Sequence, residues 1–269
     1  MRRLGQRRLW LAGLLGTLLA WAAAGQYRQR IWAKYEAEMQ DPVEDPTDAH
    51  EAAEFALGRL RYRSPMDRPF RYSRWGIDVN KGDRTFISLW RRLTRVQARS
   101  IETILDASSD EMFAHPWMMA GSVGDWRISP DEARRMREYF LRGGFLLVDD
   151  FHNEREWANF MAGVQMILPG AQAEELEDGD AIFHTVYDMK ERVRVPGANV
   201  VHGSQIERGG VVPHWRGIRD AQGRIVIAIC FNMDVGDGWE FADDPHYPER
   251  FASEAMRLGV NYVLYAMTH

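Results

Sequence analysis

The feature that most constrains this chain is a fully apolar strand that runs straight into acidic and imidazole side chains. Residues 145–148 (Phe-Leu-Leu-Val) contain no polar member, and a predicted strand at 224–231 holds a second apolar run. A strand that is apolar on both faces lies in the middle of a parallel sheet, with helices packed on both sides. The sequence therefore predicts an α/β fold, a three-layer sandwich with a mostly parallel central sheet.

The other predicted elements alternate between strand and helix, as such a sandwich requires. Ser129, Pro130 and Glu132 form a capping box with proline at the first helical position, and Gly143 ends that helix. Periodicity predicts further strands at 54–62, 74–78, 100–105, 117–120 and 173–176, helices from about 83, 153 and 248, and a short helix at 110–114. Residues 171–222 otherwise show no clear pattern.

The first 24 residues resemble an export signal. Four arginines within residues 2–8 precede an apolar run that ends in Ala22-Ala23-Ala24, a small-residue site suited to signal peptidase. An uncleaved membrane anchor is the alternative, because the uncharged stretch is close to the roughly 20 residues that span a bilayer. Either way we expect an extracytoplasmic protein, periplasmic or secreted, with membrane contact only through this segment. Residues 25–49 are predicted to be a helical extension and a proline-containing linker, and residues 50–269 the main domain.

The charge argues against a nucleic-acid-binding protein, and the cysteine content excludes an internal disulfide. The net charge is −5, and without the four N-terminal arginines 30 basic side chains face 39 acidic ones. We therefore expect no nucleic-acid partner, since such a partner needs a basic face. Cys230 is the single cysteine, so no internal disulfide can form. Its apolar neighbours predict a buried thiol rather than a reactive one.

Two polar loops follow the two apolar strands, at the position where ligands bind in open α/β sheets. Because parallel strands end at one edge of a sheet, we expect the two loops to converge. The candidate catalytic residues are Asp149, Asp150, His152 and His246; the candidate ligand-binding residues are Asp234, Asp237, Trp239 and Glu240; the candidate metal ligands are Asp149, Asp150, Asp234 and Asp237. Clustered carboxylates raise one another's pKa unless a cation or donor intervenes, so such clusters are often functional.

Each of these residues also has a purely structural explanation. Aspartate after a strand caps the next turn, acidic residues suit helix N-termini, and tryptophan usually lies in the core. The sequence indicates no cofactor, and it leaves open whether the protein binds a divalent cation. The loop from Asn232 fails the EF-hand pattern, because its sixth residue is Asp237 instead of glycine. His152 and His246 lie far apart in sequence, so the signal for a zinc site is weak.

Three separated motifs resemble the DUF4159 family, a bacterial domain of unknown function. They are residues 141–150 (Leu-Arg-Gly-Gly-Phe-Leu-Leu-Val-Asp-Asp), 234–240 (Asp-Val-Gly-Asp-Gly-Trp-Glu) and 258–262 (Leu-Gly-Val-Asn-Tyr). The resemblance covers about residues 53–268. It implies a flavodoxin-like sandwich similar to the class I glutamine amidotransferase superfamily, and it implies no known activity.

The resemblance also argues against glutaminase chemistry. Amidotransferases of that superfamily keep a cysteine on the turn after a central strand and a His-Pro-Glu before a late helix. Here Asp149-Asp150 stand at the cysteine's position, and His246-Tyr247-Pro248-Glu249 resembles the second motif with one extra residue. Without a thiol at the turn, the glutaminase reaction has no nucleophile.

These observations lead to two functional hypotheses from different classes. The first is a non-amidotransferase binding or scaffold module of the cell envelope with an acidic ligand pocket, whose partners are other envelope proteins or a small ligand. The second is a metal-assisted hydrolase, in which a bound cation activates water and His152 or His246 acts as acid or base. A third explanation is a well-capped scaffold without a ligand. Whether the protein is an enzyme is left open by the sequence.

Overall fold

A computed structural model describes residues 45–67, 73–203 and 206–269. The predicted signal or anchor at 1–24 and most of the extension at 25–49 lie outside these residues. The end of the predicted linker is described, and it contacts the first helix: Asp45 pairs with Arg84 and Asp48 with Arg91, both at 2.8 Å. Within the described ranges, no helix is both long and apolar enough to cross a membrane.

A mixed sheet with helices on both faces confirms the predicted α/β sandwich. In the described part of the chain the sheet has seven strands: β1 (Gly58–Arg61), β2 (Thr103–Asp106), β3 (Trp117–Gly121), β4 (Phe145–Phe151), β5 (Glu174–Glu175), β6 (His214–Arg219) and β7 (Ile225–Phe231). Their order across the sheet is β2-β1-β3-β4-β7-β6-β5. The strands from β2 to β7 in this order are parallel, whereas β6 and β5 add two antiparallel pairings.

Strand β4 separates the two hydrophobic cores. Phe145 and Leu147 face one core, Leu146 and Val148 face the other, and all four side chains are fully buried. Burial of each such side chain contributes roughly 1.5–3 kcal/mol. The absence of polar residues from 145–148 is therefore a direct requirement of this position in the sheet.

The helices divide between the two faces. Among the described residues they are α1 (Lys81–Leu93), α2 (Pro130–Leu141), α3 (Asn153–Ile167), α4 (Ala198–Val201), α5 (Val235–Glu240) and α6 (Glu249–Thr268). Helices α1, α5 and α6 contribute to the core that contains Phe145, and α2 and α3 to the core that contains Leu146. The predicted capping box is confirmed at the start of α2, where Ser129 and Glu132 bond each other's backbone N–H.

Two sequence predictions need correction. The strand predicted at 74–78 is wrong: a short 3-10 helix spans Arg74–Gly76, and Asp78 has a φ of 62°, which no strand accommodates. The polar segment after β7 is predicted to be a loop, but its residues Val235–Glu240 form α5. Strand β6 lies in the stretch that showed no pattern, and it turns the far end of the sheet antiparallel.

Candidate functional site

The carboxyl edge of the central strands holds several residues with left-handed backbone. Ser122 follows β3 with a φ of 53°, Asp150 lies near the end of β4 with a φ of 50°, and Asn232 follows β7 with a φ of 60°. The register of β4 against β7 shifts between Val148 and Phe151, so the pairing is irregular at this point. A left-handed non-glycine residue costs on the order of 1–3 kcal/mol, and such conformations cluster at functional sites. This edge is therefore the candidate site.

The two loops predicted to converge are joined by hydrogen bonds. The Gly236 N–H donates to Asp149 Oδ2 at 2.8 Å, and the Asp150 N–H donates to the Met233 carbonyl at 3.2 Å. Asp234 caps α5, because its Oδ1 accepts the Asp237 N–H at 2.8 Å. Asp149 thus joins the first turn of α5 to β4, and Asp234 caps that turn.

A first group of acidic and basic side chains surrounds His152, and we call it the His152 cluster (Asp150, His152, Glu207 and Arg208). His152 Nε2 lies 3.3 Å from Asp150 Oδ1 and 3.8 Å from Glu207 Oε2. Arg208 Nη2 donates to Asp150 Oδ1 at 2.6 Å, and the Ser122 hydroxyl donates to the other oxygen of the same carboxylate. The negative charge of Asp150 is therefore well compensated.

A second group, the Asp78 cluster, consists of Asp78, Asp237 and Glu240. One carboxylate oxygen from each lies within 4.8 Å of the other two. Asp237 and Glu240 are three residues apart on α5 and share one face of that helix. Asp78 comes from the turn before α1, so three carboxylates from two distant parts of the chain meet at one point.

The approach of Asp78 to α5 depends on a glycine. A Cβ at Gly236 would collide with Asp78 Oδ2. That oxygen is buried and has no hydrogen-bond partner among the described residues. An unsatisfied buried acceptor costs about 1–3 kcal/mol, more if it is charged. Asp78 therefore directs an oxygen into the cluster that no donor from the described part of the chain satisfies.

The pKa of Asp150 moves in the opposite direction from the pKa values of the other buried aspartates of the pocket and of Glu207, which burial raises. Burial, and then repulsion from neighbouring carboxylates, raises the pKa of Asp78, Asp234 and Asp237 well above the ordinary aspartate value. Burial and the adjacent Asp150 raise the pKa of Asp149 to about 7. Burial also acts on Asp150, but Arg208 and His152 outweigh it and hold the Asp150 pKa below its usual range.

The carboxylates on the Asp78 side of the pocket differ from Asp150 in the basic partners that the described residues give them. Among the described residues, no lysine or arginine forms an ion pair with Asp78, Asp149, Asp234 or Asp237. The buried Arg59 lies nearby, but it makes its ion pair and both side-chain hydrogen bonds with Asp83 of α1. Carboxylates in such surroundings either take up protons or bind a cation.

Two of the residues predicted for the site lie elsewhere. Trp239 is fully buried: its indole N–H donates to the Ala255 carbonyl at 2.9 Å, and its ring stacks on Phe86 at 4.3 Å. The His246 side chain is 76% exposed and pairs with Asp244 at 3.1 Å. Of the two predicted histidines, only His152 reaches the pocket.

Asp78, Glu207 and Arg208 are pocket residues that the sequence did not identify. Asp78 and the nearby Asn80 both have positive φ, a conformation that aspartate and asparagine tolerate, so their spacing is a usable turn signal. Glu207 and Arg208 lie in the stretch without a pattern, and no local signal marks them.

The thiol required for glutaminase chemistry is not at this edge. Cys230 lies within β7, fully buried, and burial raises the pKa of its thiol. The turn after β4 carries Asp149 and Asp150 in place of a nucleophilic cysteine. The acidic pocket therefore has to be interpreted without a thiol.

Comparison with known proteins gives a family and no activity. A family model described as a domain of unknown function (DUF4159) matches residues 56–267 and confirms the predicted family. None of the curated proteins matches the chain. The wider similarity to amidotransferases stays an expectation from the sequence.

Proposed function

Because the chain belongs to the DUF4159 family, whose description assigns no function, we propose a function from the site itself: a binding module that holds a divalent cation in its acidic pocket. The cation is bound by the Asp78 cluster. Asp149 and Asp234 are not ligands in this proposal. They accept backbone N–H groups of the first turn of α5 and so position this helix, which supplies two of the three ligands.

One observation carries this proposal. Asp78 Oδ2 is buried, has no hydrogen-bond donor among the described residues, and lies in a group of three carboxylates whose oxygens are within 4.8 Å of one another. A cation placed among these oxygens would satisfy Asp78 and offset the mutual repulsion that raises the pKa of Asp78 and Asp237.

The chemistry of the ligands selects the kind of ion. The Asp78 cluster offers only carboxylate oxygens, which suit the hard cations Ca²⁺, Mg²⁺ and Mn²⁺ better than Zn²⁺. The His152 cluster contains an imidazole, but Arg208 and Ser122 already occupy both oxygens of Asp150. Atoms of Asp150, His152 and Glu207 also lie within 4.8 Å of one another, but Arg208 already supplies a positive charge there, so we place the cation in the Asp78 cluster.

The arrangement favours binding over hydrolysis. A metal-assisted hydrolase needs an acid or base that reaches the substrate. His152 is fully buried, and Glu207 and Arg208 lie beside it. We also propose, from the N-terminal sequence pattern, that the module is exported and works beside other envelope proteins.

Thermal unfolding with and without metal ions tests the proposal. After EDTA treatment, the full-length chain should be stabilised by Ca²⁺, Mg²⁺ or Mn²⁺. At one hundred times the Kd the gain is about 2.7 kcal/mol, or roughly 5–10 °C in Tm for a domain of this size. Asp78→Asn should abolish the gain, because asparagine tolerates the left-handed backbone but carries no charge.

Asp131→Asn is the matched control, because the Asp131 side chain is exposed on α2 and lies outside the pocket. It should respond to the ions like the wild type. If no ion stabilises the wild type, or if Asp78→Asn responds equally, the cation site does not exist.

A further inference from the structure

A surface cavity lies next to the start of α6, outside both acidic clusters. Its volume is about 590 Å³, within the range of about 300–1,000 Å³ typical of small-molecule sites. The segment from Val193 to Val201 forms one wall, and the first turn of α6 forms the other.

The walls of this cavity are mostly apolar. They are built by Val193, Pro196, Val200, Val201 and Phe251. Val193 is 43% exposed, and Val201 and Phe251 pack on a small separate core around Tyr247. Apolar side chains that line an open cavity mark a binding surface for an apolar group.

Two arginines line the cavity; the Arg250 guanidinium lies 4.5 Å from the centre of the Phe251 ring, and the Glu254 carboxylate accepts the Val193 N–H at 3.1 Å. Neither Arg194 nor Arg250 forms an ion pair with a carboxylate in the described residues. By contrast, the neighbouring Arg192 pairs with Asp178 at 2.9 Å. Arg194 donates to the Gly210 and Val211 carbonyls at 3.2 and 3.3 Å, which fixes its guanidinium but does not neutralise it.

The start of α6 adds to this positive potential. Pro248, the residue before the helix, lines the cavity, and α6 is 20 residues long. The N-terminus of a helix carries a partial positive charge and attracts anions. Glu249 is the acidic residue of the first turn, but it is exposed and does not line the cavity.

We propose that this cavity binds an amphipathic anion: an apolar chain that ends in a carboxylate, the chemistry of a fatty acid. The chain packs on the valines and Phe251, and the carboxylate lies between Arg250 and Arg194. This site goes beyond the cation site and does not depend on it. The two sites are neighbours, because the segment that forms one wall of the cavity contains Ala198, whose N–H donates to Asp237 Oδ2 of the Asp78 cluster.

Calorimetric titration of the full-length chain in EDTA tests the proposal without the cation. Decanoate, below the concentration at which it self-associates, should bind saturably with one site per chain. Decanol and decyltrimethylammonium have the same alkyl chain but no negative charge. Their affinity should be lower by a factor on the order of ten or more, because they lose a charge-assisted contact. Dodecyl phosphate separates a carboxylate preference from a general anion site.

Two variants locate the site. Arg250→Gln should weaken decanoate by about tenfold and leave decanol unchanged. Val200→Asp should abolish decanoate binding, with folding checked by circular dichroism. Arg134→Gln, at an exposed arginine on α2 that pairs with Asp131, should bind like the wild type.

Several results would overturn the inference. These are no saturable decanoate binding, equal affinity for decanoate and decanol, tighter binding of the phosphate than of the carboxylate, or an unchanged affinity in Arg250→Gln. If Val200→Asp does not fold, Arg250→Gln decides alone. Stabilisation by Ca²⁺ or Mg²⁺ is measured separately, so failure of one site is distinguishable from failure of the other.

Discussion

Ionisation of Asp149 should make the metal-free protein less stable as the pH rises between about 4 and about 7. The carboxyl has an ordinary pKa of 3.8 and a pKa of about 7 in the folded protein. Between these values the folded state holds a proton that the unfolded chain has released. Folding therefore takes up a proton, and the free energy of unfolding falls as the pH rises.

The magnitude follows from the gap between the two pKa values. At roughly 1.4 kcal/mol per pH unit, the gap of about 3 units corresponds to about 4 kcal/mol, of which about 3 kcal/mol falls between pH 5 and pH 8. Asp78, Asp234 and Asp237 change stability in the same direction, because their pKa values are also raised. The pKa of Asp150 is lowered, so its stabilisation is lost only when the pH falls below about 4.

Urea unfolding at pH 5 and pH 8 in EDTA, followed by tryptophan fluorescence, measures this loss. Asp149→Asn keeps an oxygen that accepts the Gly236 N–H but cannot ionise, so it should remove about 3 kcal/mol of the pH dependence. Asp106→Asn is the control, because Asp106 is partly exposed, pairs with Arg61 and has a lowered pKa. A free energy of unfolding that is constant or rises from pH 5 to pH 8 would refute the reasoning, as would an unchanged slope in Asp149→Asn.

Two further predictions concern packing around the pocket, and chemical unfolding measures both. Gly236→Ala should destabilise by about 1–3 kcal/mol, because the new Cβ collides with Asp78 Oδ2, and adding Asp78→Gly should recover most of the loss. Arg59→Met should cost about 3–5 kcal/mol, because it leaves Asp83 buried without its partner. Arg59→Met/Asp83→Leu should restore most of that stability, and an equal loss in the single and double variants would argue against the pair.

The parts of the fold that the sequence predicted well depend on local signals. The apolar runs of β4 and β7 and the capping box of α2 are each visible within about ten residues. Strand β6 was missed because it is only partly buried. Arg216 and Arg219 project from it and pair with Glu175 and Glu174 of β5, so its sequence lacks the usual apolar alternation.

The parts of the site that the sequence missed depend on long-range contacts. The convergence of the two acidic loops follows from parallel strand topology, and it was predictable. The Asp-Gly composition of 234–240 indicates a turn, but helix α5 forms there because Asp149 of β4 accepts the Gly236 N–H. Once that helix forms, Val235 and Trp239 are one turn apart and both face the core. A residue predicted to bind ligand is thereby placed in the interior.

The order of the strands also bears on how this chain avoids association with its own copies. Within the described ranges the two ends of the sheet are β2 and β5, and an edge strand exposes backbone groups that can pair with another molecule. Strand β5 is two residues long, both glutamates, and β2 is four residues long and ends in a charged pair between Asp106 and Arg61. Short, charged edges are poor templates for cross-β assembly. The sheet therefore limits fibril-like growth at both of its open sides. The central strands have long apolar runs and would promote such growth if they lay at an edge.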